Sequence, residues 1–208
     1  MGTENGASLR QRKPKSPCLK CFLNPSLCIC SLLPTLDLKT KISLIIHAKE
    51  LKRTTNSGRL ALHCLTNSEL RIRGESQQPL DLSDLLSPSY HSLLFYPSDA
   101  AVELTLDYLR PLSDKPIHLI VPDGNWRQAS KVQTRHPELK NIPRVNLKRP
   151  NLAKFHLRAE SSEFGMSTLE AIAHALGVIE GPDVSEKLLQ VYQAKLHGTL
   201  VGRGIKIV

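Results

Sequence analysis

The sequence predicts an α/β protein, a parallel sheet with helices on both faces, preceded by a small cysteine-bearing module. Three observations predict it. Short apolar runs at Lys41 to His47, Ser92 to Tyr96 and Ile117 to Val121 read as buried strands. Helical stretches stand between and after these runs, an alternation that gives parallel pairing and gathers ligands at the carboxyl ends of the strands. Four of the five cysteines fall within residues 18–40, ahead of the first strand.

The elements follow in order. Residues 1–17 are polar and basic without apolar periodicity and are expected to form a disordered arm. Residues 18–40 make the cysteine module, and residues 41–208 the main domain. After the first strand, Ser57 to Leu65 reads as a helix, with Cys64 at helical spacing from Leu60 and most simply a small buried side chain. The strand at Ser92 is ended by Pro97, and Ser98 or Asp99 is expected to cap a helix from about Ala100 to Leu109. Ile117 to Val121 leads into a helix over Asn125 to Arg135, and Pro143 to Asn146 is a fourth strand. Leu169, Ile172, Ala173, Leu176 and Ile179 keep a 3.6-residue period, which Val184, Leu188, Val191, Tyr192 and Leu196 resume after the break at Gly181-Pro182.

Composition narrows the class. The chain of 208 residues suffices for one domain with a substantial core, and its 40% apolar and 23% charged content is that of a globular protein. No apolar run approaches the roughly 18 residues needed to span a bilayer, and the basic N-terminus is not followed by the apolar core of a signal peptide, so a cytoplasmic protein is expected. The net charge of +9 is concentrated. Between Arg127 and Arg158 lie nine lysines and arginines against the single acid Glu138. Arg127, Lys131 and Arg135, four apart, share one stripe of the predicted helix, where they are either a solvated face or a track for phosphates. Concentration of the excess charge in one window favours nucleic acid.

Cys18, Cys21, Cys28 and Cys30 have the spacing C-x2-C-x6-C-x-C. Two close pairs separated by a short loop can converge as four thiolates on a tetrahedral ion, and in a reducing compartment zinc is favoured over disulfides. His47, Glu50 and Asn56 place hydrogen-bonding groups at the exit of the first strand, and Asn56-Ser57-Gly58 can open a helix with exposed N–H groups. Asp123-Gly124-Asn125-Trp126 stands at the exit of the third strand and holds the only tryptophan. Asp123 either caps the next helix or presents a carboxylate to a ligand, and Trp126 either fills the core or flanks a flat or cationic group; the sequence leaves both open. Ser167 and Glu170 fit a capping box, whose helix N-terminus is also suited to a carboxylate, with Arg158 near in sequence to reinforce it.

Taken together, the cysteine cluster, H-A-K-E with N-S-G, L-F-Y-P-S-D-A, D-G-N-W, F-H-L-R and S-T-L-E-A resemble, in order and over residues 18–205, the DTW-domain family of tRNA-uridine aminocarboxypropyltransferases. Asn125 departs from the threonine common in that family. The resemblance implies a SPOUT-like fold with a knotted carboxyl-terminal part that binds S-adenosylmethionine. It implies transfer of the 3-amino-3-carboxypropyl group to N3 of a tRNA uridine. On that basis Asp123 is the expected catalytic residue. The donor pocket is expected from Tyr96, Pro97, Ser98, Pro122, Gly124, Trp126, Gly165, Met166, Ser167 and Thr168. The RNA substrate is expected to meet His47, Glu50, Asn56, Gly58, Arg127, Lys131 and Arg158, with Zn2+ on Cys18, Cys21, Cys28 and Cys30 and no membrane partner. Two other readings remain beside it: an RNA methyltransferase of similar fold and cofactor, and a non-catalytic zinc-bearing RNA-binding protein.

Overall fold

β1 (Lys41–His47) occupies an inner position of the sheet, and its sequence KISLIIH shows why: five consecutive residues are buried, as both faces of a covered parallel strand require. The computed structural model describes residues 16–74, 80–148, 157 and 165–205, with the side chain of Trp126 outside that description. The other strands are β2 (Ser68–Arg73), β3 (His91–Phe95), β4 (Val102–Glu103), β5 (Ile117–Asp123) and β6 (Arg144–Asn146), and the helices are α1 (Gly58–Leu62), α2 (Leu106–Leu109), α3 (Trp126–Arg135), α4 (Thr168–Ile179) and α5 (Pro182–Val201). All described pairings are parallel, in the order β2-β1-β5-β3-β6-β4.

Side-chain alternation along the strands builds two cores. Ile42 and Leu44 of β1, Leu93 and Phe95 of β3 and Leu119 and Val121 of β5 face the cluster completed by Leu60 of α1, Ile172 and Leu176 of α4 and Leu188 and Tyr192 of α5. Ile45, Leu94 and Ile120 face the opposite cluster, completed by Ala129 and Val132 of α3 with Leu82 and Leu85. Helices therefore cover both faces, as the alternating pattern predicts. The cysteine segment is not detached from this core. Cys21, Leu23 and Ile29 are buried in the first cluster, and Gly198 of α5 faces Leu23 so closely that a Cβ there would lie 2.7 Å from Leu23 Cδ1.

Two expectations are corrected. The helix from Ala100 to Leu109 is limited to Leu106–Leu109, because Val102 and Glu103 pair with Val145 and Asn146 as the edge strand β4. Its cap is Thr105, whose Oγ1 accepts from the Tyr108 N–H at 3.1 Å, and neither Ser98 nor Asp99 serves. β2 was not expected; its residues SELRIR bury only Arg73, the pattern of an edge strand whose side chains are half solvated. The expected arm lies outside the described residues apart from Ser16 and Pro17, and residues 149–156 and 158–164 lie outside them as well. Among the described residues no helix is long and apolar enough to cross a membrane.

Candidate active site and metal centre

A cavity of about 260 Å³ opens at the carboxyl ends of the central strands. Phe95, Tyr96 and Pro97 follow β3, Val121 to Gly124 end β5, and Asn146 and Leu147 end β6. Thr55 to Ser57 and the start of α4, Met166 to Thr168, close the remaining sides. The position obeys the rule for open parallel sheets, in which strand exits leave a crevice between connections that run to opposite faces.

Asp123 is the charged group of this wall. It is the last residue of β5, 6% exposed, and its two carboxylate oxygens are held from different elements. The Thr168 hydroxyl donates to Oδ1 at 2.5 Å and Asn56 Nδ2 donates to Oδ2 at 2.5 Å. Asn56 cannot turn over without loss, because its Oδ1 accepts the Arg59 N–H at 3.2 Å. The adjacent Ser57 Oγ accepts the Leu169 N–H at 3.2 Å and ties the start of α1 to the start of α4. Gly58 makes this convergence possible: a Cβ there would stand 3.0 Å from Asp123 Oδ2 and 3.1 Å from both Leu44 and Thr168. Both carboxylate oxygens are thereby fixed in place on the cavity wall.

The helix ends settle what the sequence leaves open. Asp123 does not cap α3. Asn125 does, its Oδ1 accepting from the Gln128 N–H at 2.9 Å while Gln128 Oε1 accepts from the Asn125 N–H at 2.9 Å. Threonine is also a good cap, so the exchange at position 125 preserves the local structure. Gly124 has φ 152°, and a Cβ there would meet Gln128 Oε1 at 2.8 Å. Ser167 and Glu170 form the expected capping box of α4.

Of the residues expected around a donor, Tyr96, Pro97, Pro122, Gly124, Met166, Ser167 and Thr168 line the cavity, as do Asn56 and Asp123. Ser98 and Gly165 stand beside it without lining it, and Gly58 lies behind Asp123. Trp126 is the first residue of α3. Arg158 lies outside the described residues. His47 and Glu50 belong to a different neighbourhood: Glu50 is 1% exposed and pairs with Arg53 Nε at 3.1 Å, and His47 Nδ1 accepts from the Lys49 N–H at 3.2 Å. Phe95, Asn146, Leu147 and Leu157 line the cavity and were not anticipated. The position of Phe95, Asn146 and Leu147 at strand exits was the signal that could have found them.

The wall divides into an apolar part (Phe95, Val121, Leu147, Leu157 and Met166) and a polar part around Asp123 and Asn146. Asn146 Oδ1 is buried with no hydrogen-bond partner among the described residues, and neighbouring Ser98 Oγ is likewise unpartnered. A ligand that joins a flat apolar ring to amino and hydroxyl groups fits such a wall, because it supplies a donor to Asn146 Oδ1 and covers the apolar side.

Cys18, Cys21, Cys28 and Cys30 form a second centre. Their Sγ atoms all lie within 4.8 Å of one another, with Cys18 to Cys30 at 3.5 Å and Cys21 to Cys28 at 3.8 Å. A tetrahedral ion with metal–sulfur bonds of about 2.3 Å requires sulfurs about 3.8 Å apart. Backbone N–H groups of Cys21 and Lys20 hold the Cys18 thiol down to about 6, whereas burial and the neighbouring thiols push Cys30 up to about 12. Crowded sulfurs of this kind are relieved by a shared cation. The turn that brings the first pair together puts Phe22 at φ 56°, with the Arg59 guanidinium 4.8 Å above its ring.

The DTW domain matches residues 15–199, and the chain belongs to that family. It is similar to proteins named tRNA-uridine aminocarboxypropyltransferase 2: that of Macaca fascicularis is 26% identical, covering 88% of this chain and 63% of the relative, and that of Drosophila melanogaster is 28% identical, covering 89% and 75%. The chain thus spans about 63% of the length of the Macaca fascicularis protein and of its Mus musculus counterpart. No solved structure matches it.

Proposed function

We propose that this chain transfers the 3-amino-3-carboxypropyl group of S-adenosylmethionine to N3 of a tRNA uridine and releases methylthioadenosine. The reading rests on the Asp123 carboxylate, fixed by Asn56 and Thr168 on the wall of a cavity at the strand exits. Family membership and the names of the relatives support the group and the acceptor.

The donor supplies an electrophilic carbon next to a sulfonium. As N3 bonds to that carbon, the carbon–sulfur bond breaks with its electron pair on sulfur, and the N3 proton must leave. Ring nitrogen 3 of uracil is a weak acid, so a carboxylate beside it lowers the barrier by orienting N3–H and receiving its proton, or by holding the ammonium of the transferred group in line. Asn56 and Thr168 keep Asp123 in that position. Asn146 Oδ1 is an acceptor for the donor's amino or hydroxyl groups, and the backbone N–H groups at the start of α4, reinforced by Arg158, suit its carboxylate. Tyr96, Pro97, Pro122, Gly124, Trp126, Gly165, Met166 and Ser167 complete the donor pocket. His47, Glu50, Gly58, Arg127 and Lys131 belong to the RNA side. Zn2+ on the four cysteines has a structural role, since four thiolates leave no open position for chemistry. We place the protein in the cytoplasm and its fold in the SPOUT-like class with a threaded carboxyl-terminal part. The fold class is supported by the all-parallel sheet and by a cavity built between strand exits and the start of α4.

The test is incubation of unmodified tRNA with the protein and S-adenosylmethionine, followed by mass analysis of the nucleosides. The expected product is uridine carrying the amino acid fragment. A methylated base would establish the methyltransferase reading instead, and lack of donor binding in calorimetry would establish a non-catalytic RNA-binding protein.

A further inference from the structure

Beyond the cavity, a group of cations without carboxylate partners among the described residues lies at the β2 edge of the sheet. Arg73 ends β2 and is paired in register with His47 of β1. It is 7% exposed, its Nη2 donates to the Gln128 carbonyl of α3 at 2.8 Å, and its Nε has no hydrogen-bond partner among the described residues. A buried guanidinium that spends one donor on a carbonyl and leaves another unmet is an incomplete anion site, because Arg is ordinarily buried only with its fork satisfied. The groups around it are cationic. Arg135, Arg127 and Arg73 stand near enough to Lys131 to hold its ammonium below the ordinary value, and burial first, then Arg135, act likewise on Arg73. None of these four makes an ion pair with a carboxylate among the described residues. Facing them from β1, burial first and then Arg73 lower the His47 pKa, while Glu50, which would raise it, is engaged with Arg53. Neutral His47 accepts the Lys49 N–H on Nδ1, so its proton sits on Nε2, and Nε2 points at Gly74. Gly74 has φ 75°, and a Cβ there would lie 3.3 Å from His47 Nε2, so glycine leaves that donor accessible.

We propose that Arg73, His47, Lys131 and Arg135 form a seat for one backbone phosphate of the RNA substrate. The unmet Arg73 Nε–H and a neutral imidazole N–H are donors for phosphate oxygens, and the α3 cations add long-range attraction. β1 lies between β2 and β5, so the backbones of Arg73 and Asp123 are two strand spacings apart, roughly 10 Å, with Arg73 on the α3 face of the sheet and Asp123 on the α4 face. A nucleotide anchored at the seat is held at one point of its backbone while a neighbouring base enters the cavity. Fixing that register is a positioning role, and Arg73 takes no part in bond making.

This inference rests on the reading of the chain as a tRNA-modifying enzyme, and the experiment separates the two. Binding of unmodified tRNA is measured against salt concentration for the zinc-loaded wild type, Arg73→Gln and Arg135→Gln, with donor affinity, zinc content and melting temperature as controls. Wild-type binding that weakens steeply with salt supports the RNA reading, and no binding at any salt overturns that reading itself. Given wild-type binding, Arg73→Gln should weaken it at least about tenfold and make the logarithmic salt slope shallower by about one, raising KM for tRNA with kcat little changed. Arg135→Gln, at an exposed position that keeps the fold, should give a smaller loss in the same direction. An unchanged salt slope and KM in both variants would overturn the seat.

Discussion

Two buried polar clusters draw on strand β5, through His118 and Asp123, and they differ in what they face. Towards the amino-terminal ends of the strands, Ser43 Oγ lies 2.7 Å from Glu69 Oε1 and 2.7 Å from His118 Nε2, while His118 Nδ1 lies 3.0 Å from the Leu85 carbonyl. Ser43 and His118 are fully buried, Tyr90 covers the imidazole edge-on, and the chain of contacts runs outward through Glu69 to Lys41 and Arg71. At the strand exits, Asp123, Asn56 and Thr168 make an equally tight cluster, but it borders open space. A serine, a histidine and an acid in hydrogen-bonding reach would invite a catalytic reading by residue type alone. Depth reverses it: the first cluster pins the loop at Leu85 to the sheet, and only the second can touch a ligand. Changes in the first should therefore alter stability with little effect on transfer, and changes in the second should do the opposite.

The largest effect should come from the cysteine centre, which Lys195 ties to the second cluster. Lys195 of α5 is 1% exposed and donates to the Cys21 and Thr54 carbonyls, so the cysteine centre is tied to the loop that carries Thr55 and Asn56 into the cavity. Burial lowers its pKa to about 8. Removing the metal with a chelator should lower the melting temperature by at least about 10 °C, roughly 3 kcal/mol or more, and abolish transfer with it. An unchanged melting curve would detach the cysteine centre from the core.

Acid should next discriminate between the clusters. Burial lowers the His118 pKa from 6.5 to about 4. The unfolded chain therefore binds the proton more readily, so the contribution of neutral His118 is complete above about pH 6.5 and is lost as pH falls towards 4, on the order of 2–3 kcal/mol. Glu69, held down to about 2 despite its burial by Lys41, Ser43 and Arg71, keeps its contribution until pH falls from 4.5 towards 2. Replacing His118 by Asn should flatten the melting temperature between pH 6.5 and 4 without altering the ratio of transfer to donor binding at pH 7. Retention of the slope would assign the acid sensitivity to other groups.

Smaller effects should come from the supports of Asp123. Asn56→Ala should reduce transfer by roughly 10- to 100-fold, because the carboxylate loses a donor and its placement, while melting falls by only a few degrees. Thr168→Val removes one hydroxyl donor and should cost about threefold to tenfold. Nucleoside yield at saturating donor measures both; larger losses of stability than of activity would make the rim cluster structural.

How far the sequence foretold this depends on where each residue lies. β1, β3 and β5 are continuous apolar runs because both faces are covered, so period and length sufficed. β2 escaped because an edge strand carries charged side chains, and the stretch after β3 misled because Val102 and Glu103 are set by pairing with β6, a partner more than 40 residues away. The role of Asp123 was open because an acid before a helix serves equally as a cap, and only the Asn125–Gln128 box removes that duty from it. Arg73 and Asn146 left no local mark, since what distinguishes them is a missing partner in three dimensions.

The most direct measurement is on Asp123→Asn, a change that keeps size and hydrogen-bonding capacity but removes the charge. Nucleoside yield from unmodified tRNA and S-adenosylmethionine should fall by at least about 100-fold, while the melting temperature, metal content and tRNA affinity stay close to those of the wild type. Full transfer by this variant, or collapse of its fold in place of its chemistry, would contradict the account.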